Sequence, residues 1–375
     1  MAKHLKLFQA HSEYSAFINT EDFIKPNVSY CVSENEVHYN PIPDYSKMYF
    51  TVEAVESGDF SLYYDYETPG AGVIPTMEYL EYSKDGQNWT RIVPVENQLV
   101  TSDSIHLNVG ENVMVRGIND GLVSYGWYIW IKRAFFNFSS DGTPKKYNAY
   151  GNMMSLLYGD NFENNTDIST NTIGVFGGIF KGGQIVDAQN LVLSATILSA
   201  RCYEEMFKNC TNLVNAPKSI PATTLATECC NNMFQNCTSL TTAPELPAET
   251  LAYGCYSSMF ESCTSLTTAP SVLPATTLES NCYSNMFENC TSLTIAPELP
   301  ATRLIDSCYN RMFNICASLN YIKCLATDIS ASYCTFAWVN GVSASGTFVK
   351  AASMTDWTNG IDGIPNGWTV ETASE

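Results

Sequence analysis

Positive charge is scarce in this chain. Lysine and arginine number 19 against 38 aspartates and glutamates, for a formal charge of −19. The deficit is spread along the sequence: residues 1–150 hold 11 basic and 19 acidic side chains, and residues 195–320 hold 5 and 10. No basic stripe is available to neutralise phosphates, which argues against nucleic acid as a partner and equally against an anionic membrane surface. Long apolar runs are missing too. None approaches the roughly 18 residues of a membrane helix, so no membrane insertion is expected. The most apolar stretch, Tyr125 to Phe136, is broken by Lys132-Arg133 and reads as a strand. The opening residues lack the apolar core and cleavage site of a standard export signal, so export by that route is not expected.

Catalytic signatures are also missing. There is no G-x-S-x-G elbow, P-loop, G-x-G-x-x-G or H-E-x-x-H, and the four histidines (His4, His11, His38, His106) lie outside the repeated region described below. No enzyme activity, catalytic residue or cofactor is expected. Gly177-Gly178 and Gly182-Gly183 read as turn glycines rather than a phosphate cradle. Glu204-Glu205 could form an acid pair, but adjacent residues on a helix point apart, so a solvated face is the better reading. Glu245, Glu249 and Glu298 recur with the repeat, which makes their period that of the fold.

What is abundant is repetition. From about Ala200 to Ser318 one sentence is written five times: C-Y-x-x-M-F-x-x-C-T-S-L-T-T-A-P-x-L-P-A-T-T-L. Its phenylalanines, Phe207, Phe234, Phe260, Phe287 and Phe313, fall at spacings of 27, 26, 27 and 26. Such regularity predicts a stacked array, a solenoid, in which neighbouring coils bury a shared core. The one-residue slack sits between two prolines, A-P-K-S-I-P against A-P-E-L-P, and so at a surface corner. Within a repeat, Cys255, Met259, Phe260 and Cys263 at i, i+4, i+5 and i+8 predict one or two turns of helix. Thr264 to Thr268 predict a short strand around Leu266, stopped by Ala-Pro, and the leucines of P-A-T-T-L point inward.

Fourteen cysteines raise the question of bridges or metals. Ten form pairs at i and i+8. On the helical reading each pair stands about 12 Å apart by helical rise, too far for a disulfide, and the repeats lack zinc-type C-x2–4-C spacing. Buried, reduced cysteines that pack as small apolar residues are the leading reading. Disulfides between equivalent cysteines of neighbouring coils, and a metal site, are the alternatives. The Asn-Cys-Thr triplets at 209, 236 and 289 match a glycosylation acceptor but recur with the repeat, for packing.

The fold expected is α+β, in five segments. Residues 1–47 make a small α/β attachment unit: a strand at Lys6–Phe8, a short helix capped by Ser12 through about Asn19, and a hairpin from Val28 to Asn40. Residues 48–150 make an all-β, sandwich-like domain with strands at 48–55, 60–66, 77–83, 90–94, 104–109, 112–118 and 127–138. In it Trp89 is expected in the core rather than as a sugar platform. Residues 151–199 are a lead-in and N-terminal cap coil, 200–325 the repeats, and 326–375 a C-terminal cap in which Gly346–Lys350 is the closing strand and the Trp-bearing tail seals the last coil. One surface recurs with the coils: Thr241, Thr242, Thr267, Thr268 and Thr294 would stack into hydroxyl ladders able to take a glycan or protein ligand.

The repeat sentence resembles the BspA-type leucine-rich repeats, whose units carry an A-F-x-x-C-x-x-L core. The P-A-T-T-L variant, the lead-in G-N-M-M-S-L-L-Y-G-D-N-F and the tail G-I-P-N-G-W-T-V are similar to repeat proteins of gut Bacteroidetes and of the tailed, crAss-like phages that infect them. K-L-F, P-N-V-S-Y-C-V and E-V-H-Y-N-P resemble the opening of phage structural proteins of that group. The resemblance implies a leucine-rich-repeat solenoid with a short helix and a short strand per 26–27-residue coil. It implies a non-enzymatic virion protein of head or tail, assembled in the host cytoplasm. Residues 1–47 would bind other virion proteins, and the repeats would meet a host surface protein or glycan. A homo-oligomer such as a trimer fits a fibre. A bacterial cell-surface adhesin is the alternative, and a glycan-degrading tail enzyme a more distant one.

Overall fold

The computed structural model describes residues 7–9, 12–14, 28–33, 36–41, 43–67, 79–92, 98–119, 131–171 and 173–374. The chain divides into two units, Met1–Asp44 and Tyr45–Glu375. In the first, β1 (Leu7–Gln9) pairs with β2 (Ser12–Tyr14), and β3 (Val28–Ser33) with β4 (Glu36–Pro41), both antiparallel. The helix expected from Ser12 is corrected here. Only two residues separate the first pair, and the register joining Leu7 to Tyr14 commits Ser12 to a ladder rather than to a helix cap. Residues 15–19 lie outside the described residues.

The second unit begins as two sheets. One contains β6 (Gly58–Glu67), β9 (Gln98–Thr101), β10 (Ile105–Leu107), β12 (Ile131–Ser140) and β13 (Thr143–Pro144). The other runs β14–β5–β11–β7–β8, with β5 (Phe50–Ala54), β7 (Tyr79–Ser83), β8 (Thr90–Ile92), β11 (Asn112–Ile118) and β14 (Tyr147–Asn152). Each of the seven strands expected in this stretch has a counterpart. β11 shows why: Val113, Val115 and Gly117 are buried and their neighbours are not, the period of two of a half-buried strand. Phe60, Leu62, Leu107 and Phe138 of one sheet and Val52, Leu80, Val113 and Val115 of the other belong to one buried cluster.

β14 carries this sheet onward. It pairs antiparallel with β5 and parallel with β15 (Ile185–Asp187) and β16 (Leu191–Val192). From Asp187 single-residue parallel bridges step through Asn215, Thr242 and Thr268, and a further one joins Ile295 to Tyr321. Tyr321 begins a parallel three-stranded sheet of β17 (Tyr321–Cys324), β18 (Thr347–Lys350) and β19 (Thr369–Thr372). The repeats thus stand as a column of stacked turns, starting on the sheet of the preceding strands. The closing strand is β19, not Gly346–Lys350, which lies in the middle of that last sheet.

The helix-and-strand leucine-rich-repeat solenoid is not formed. Among the described residues strand far outweighs helix, 27% against 4%, and the one α-helix among them, α1 (Ser155–Tyr158), precedes the repeats. The backbone of Cys255–Cys263 shows the reason. Gly254, Ser258 and Ser262 have φ of +57, +52 and +62°, and a left-handed residue at every fourth position breaks an α-helix. The amides then alternate. Those of Tyr256, Ser258, Phe260 and Ser262 donate to Cys282, Ser284, Met286 and Glu288 of the next coil, at 2.8 to 3.0 Å. Those of Ser257, Met259, Glu261 and Cys263 donate three residues back within the coil. Half of the amides that a helix would use internally are spent between coils. The strand expected at Thr264–Thr268 shrinks to a single bridging residue, Thr268, because the following Ala-Pro turns the chain away.

The same pattern orders the core. Residues 255–256, 259–260 and 263 are buried and 257–258 and 261–262 are not, a period of four. The buried phenylalanines stack ring on ring, with centroids 5.0 Å apart for Phe180–Phe207, 5.1 for Phe207–Phe234, 5.5 for Phe234–Phe260, 5.4 for Phe260–Phe287 and 5.8 for Phe287–Phe313. Each fully buried ring contributes about 3 kcal/mol of hydrophobic stabilisation. Every cysteine from Cys202 to Cys334 is a free, buried thiol. The second thiol of each repeat is also a donor: Cys237 Sγ meets the Phe207 carbonyl at 3.1 Å, and Cys210, Cys263, Cys290 and Cys316 repeat the contact at 2.9 to 3.1 Å. At the far end Trp338, at the position of Met312, stacks on Trp357 at 5.4 Å and donates to the Gly363 carbonyl.

Candidate ligand-binding faces

The column has two long polar faces, and they differ in what they leave free. On the first, Thr241, Thr242, Thr267, Thr268 and Thr294 are all exposed. They project from the residues that follow each buried Leu240, Leu266 and Leu293, so the register of the core brings them into rows. Thr242 bridges Thr268 directly. The Thr267 amide and hydroxyl both donate to the Thr241 carbonyl, at 3.0 and 3.2 Å, and Thr294 offers its carbonyl to the Asn320 amide at 2.9 Å. Among the described residues, the hydroxyls of Thr241, Thr242, Thr268 and Thr294 have no protein partner. Val214 and Ile295, both exposed, extend the rows with methyl groups. The face therefore presents rows of threonine hydroxyls at the spacing of the coils, with Val214 and Ile295 at their ends.

A second threonine edge escaped the sequence reasoning. Thr224, Thr250 and Thr277 bridge one another in succession and are exposed beside Thr223 and Thr276. The signal was the doubled threonine of P-A-T-T-L, overshadowed by the leucine that follows it.

The other polar face is formed by the outward positions of C-Y-x-x-M-F-x-x-C, and it is bonded to itself. Asn236 Nδ2 donates to Asn209 Oδ1 at 2.9 Å, Asn289 Nδ2 to Ser262 Oγ at 3.2 Å, Asn314 Nδ2 to Glu288 Oε1 at 2.6 Å and Asn340 Nδ2 to Asn314 Oδ1 at 2.9 Å. The asparagines of the Asn-Cys-Thr triplets sit at φ of +64, +61 and +60°. Asparagine tolerates that region better than other side chains, which gives the recurrence its physical reason.

Glu204 and Glu205 stand on this face, both half-buried rather than solvated. Burial works against the Glu205 carboxylate, but Lys181 and Lys208, each at 2.6 Å, hold it below its ordinary range. Burial pushes Glu204 up to about 7, with Glu228 and Glu205 adding to the shift and Arg201 opposing it. Glu205 is thus committed to two lysines and is not free to act with its neighbour. Of the connector carboxylates, Glu298 pairs with Lys323 at 3.1 Å.

Two sites lie among the sheets. Trp89 is half-buried, with the Arg116 guanidinium 3.9 Å over its ring, the Tyr49 ring edge-on at 5.0 Å, and its indole N–H bonded to the Gly86 carbonyl. Arg116 also bonds Glu81 at 2.9 Å and pairs with Asp160, so the ring helps to tie β11 to the segment after α1. The second is a trio that sequence could not reveal, because His106 is 49 residues from Ser57 and 47 from Asp59. Ser57 Oγ lies 3.3 Å from His106 Nε2, and His106 Nδ1 lies 2.8 Å from Asp59 Oδ1. The order is that of a serine-hydrolase triad. However, the imidazole is 61% and the carboxylate 48% exposed, and the Ser57 proton is shared with the Leu107 carbonyl at 3.2 Å. The pairing follows from register, since His106 and Asp59 face each other across β10 and β6.

Among the described residues no three histidine, cysteine, aspartate or glutamate side chains gather as a metal site, and no helix is long and apolar enough to cross a membrane. Compared with family models, curated proteins and solved structures, the chain matches none.

Proposed function

We propose that this chain is a non-enzymatic display protein, a virion structural component whose column carries an adhesive face for a host surface protein or glycan. The observation that carries the reading is the contrast between the two polar faces. The amide face satisfies its own hydrogen bonds, while the threonine face leaves Thr241, Thr242, Thr268 and Thr294 hydroxyls uncommitted on a regular support. A ligand bound there gains hydrogen bonds without breaking any within the protein, and it meets a surface already ordered, so little entropy is lost on binding. The separate first unit, Met1–Asp44, supports the assignment of attachment to other virion proteins to that end of the chain. The phage setting rests on the sequence resemblance.

The test is mass spectrometry of purified particles, with adhesion assays on the Thr242→Lys, Thr268→Lys double variant. Recovery of the chain in intact particles, and loss of host attachment by the variant, are the expected results. Recovery only in the bacterial envelope would replace the virion reading with that of a cell-surface adhesin. Undiminished attachment by the variant would remove the threonine face as the adhesive surface.

A further inference from the structure

The last full coil breaks the rule that governs the amide face. The position of Tyr333 is held in earlier coils by Arg201, Glu228, Gly254, Asn281 and Ser307, and that of Phe336 by Glu204, Asn231, Ser257, Ser284 and Asn310. Tyr333 is 68% exposed and Phe336 40% exposed, with their rings edge to face at 5.8 Å. The Arg311 guanidinium lies 5.9 Å from the Phe336 ring.

Neither backbone nor core explains Tyr333. Its φ is +54°, a conformation that favours glycine or asparagine and penalises a bulky side chain. Its exposure returns nothing through burial. Ile315, at the position of Asn209, Asn236, Ser262 and Asn289, repeats the anomaly on the same face, with φ of +62° and 46% exposure. Large side chains held against local preference and facing solvent point to surface chemistry.

From this we propose that the C-terminal end of the amide face is a saccharide subsite, in which the Tyr333 and Phe336 rings take the C–H faces of a neutral oligosaccharide. Arg311 supplies donors to its hydroxyls, and Asn340, exposed four residues after Phe336 and bonded to Asn314 through one amide hydrogen, adds the other. The chemistry of the surroundings selects this occupant. Asp306 accepts from the Ser332 amide and Asp362 from the Ala337 amide, next to Tyr333 and Phe336 in the chain, so an anionic ligand gains little. The apolar patch amounts to a few side chains, short of the roughly 800 Å² per partner that a stable protein interface needs. A sugar is small enough, and aromatic rings beside amide groups match its alternation of C–H and O–H. The inference shares with the proposed function only the premise that the column is a binding surface, and it uses a different face.

The test is isothermal titration of the full chain with cellohexaose, maltohexaose and α-1,6-mannohexaose, repeated for Tyr333→Asn and Phe336→Ser. The expected result is binding of at least one hexasaccharide, weakened tenfold or more by either substitution and unchanged in Thr242→Lys. Tyr333→Asn places a residue suited to positive φ, so its melting temperature is expected to equal or exceed that of the parent, which separates loss of the site from loss of the fold. Failure of all three sugars to bind, or binding that persists in both ring variants, would overturn the inference. So would a concentration-dependent dimer that Tyr333→Asn dissolves, since the patch would then belong to a second copy. Sugar binding lost in Thr242→Lys but kept in the ring variants would remove this subsite while leaving the threonine-face reading standing.

Discussion

The ring of Phe50 lies 5.9 Å from that of Phe180. Phe50 opens β5, and Phe180 is the first member of the phenylalanine stack. The contact joins the core between the sheets to the core of the column, and the parallel pairing of β14 with β15 joins their backbones beside it. The sheets and the column therefore share one core at the N-terminal end of the column.

Removal of this joint should be felt on both sides of it. Phe180→Ala leaves a cavity between Phe50 and Phe207 and is expected to cost about 4 kcal/mol. Denaturant unfolding followed by far-ultraviolet circular dichroism and by tryptophan fluorescence should show one shared transition at lower denaturant. Two separate transitions, with only one of them shifted, would contradict the common core.

The left-handed positions predict a gain. Ile315→Asn relieves a β-branched residue at positive φ and should stabilise the chain by about 1 kcal/mol. The Ile315 amide bond to the Asn340 carbonyl is a main-chain contact and is retained. The measurement is the denaturant midpoint at unchanged slope, and a fall in the midpoint would refute the backbone geometry assigned to the repeats.

The buried thiols should be silent until the fold opens. Burial pushes Cys210, Cys316 and Cys324 up to about 12 from an ordinary 9.0, and the reactive species is the thiolate. At pH 8 iodoacetamide should leave Cys202 to Cys316 unmodified in the native chain and alkylate them in denaturant. The same shifts set the alkaline limit. Below pH 9 both folded and unfolded thiols are protonated and their contribution to stability is complete. As the pH rises from about 9 towards 12 the unfolded chain releases protons that the native chain retains, so stability falls. A midpoint that stays constant from pH 8 to 11 would contradict the burial of the thiols.

The Ser57–His106–Asp59 trio supplies a direct check on the non-enzymatic reading. A fluorophosphonate probe is expected to leave Ser57 unlabelled, and Ser57→Ala to change no hydrolysis of p-nitrophenyl acetate above that of free imidazole. Stoichiometric labelling at Ser57 would reopen the question of catalysis.

How far the sequence could be read depended on which periods it can separate. The strands of the sheets were legible because a period of two, as at Val113 and Val115, is unlike any other. The stacked column was legible from the 26- and 27-residue spacings. The helix was misread because Cys255, Met259, Phe260 and Cys263 suit a period of 3.6 and a period of four equally well over nine residues. The discriminating signal lay elsewhere, in Gly174, Gly178 and Gly182 of the degenerate coil. All three have positive φ, and they align with Arg201, Glu205 and Asn209. Read together with the asparagines at 232, 236, 285 and 289, they spell a left-handed residue every fourth position. The threonine rows were legible because the residues repeat. The aromatic patch was not, because Tyr333 and Phe336 gain meaning only when set against the residues one coil earlier.

Since each coil spends half of its turn amides on the next one, and both ends of the column are closed by other structures, the number of coils between them is not fixed by either end. Duplication or deletion of a 26- or 27-residue unit preserves every type of contact and changes only reach, by one ring spacing at a time. The chain is in this sense a ruler whose length evolution can adjust by copying a phrase, with the grip at each end left as it was.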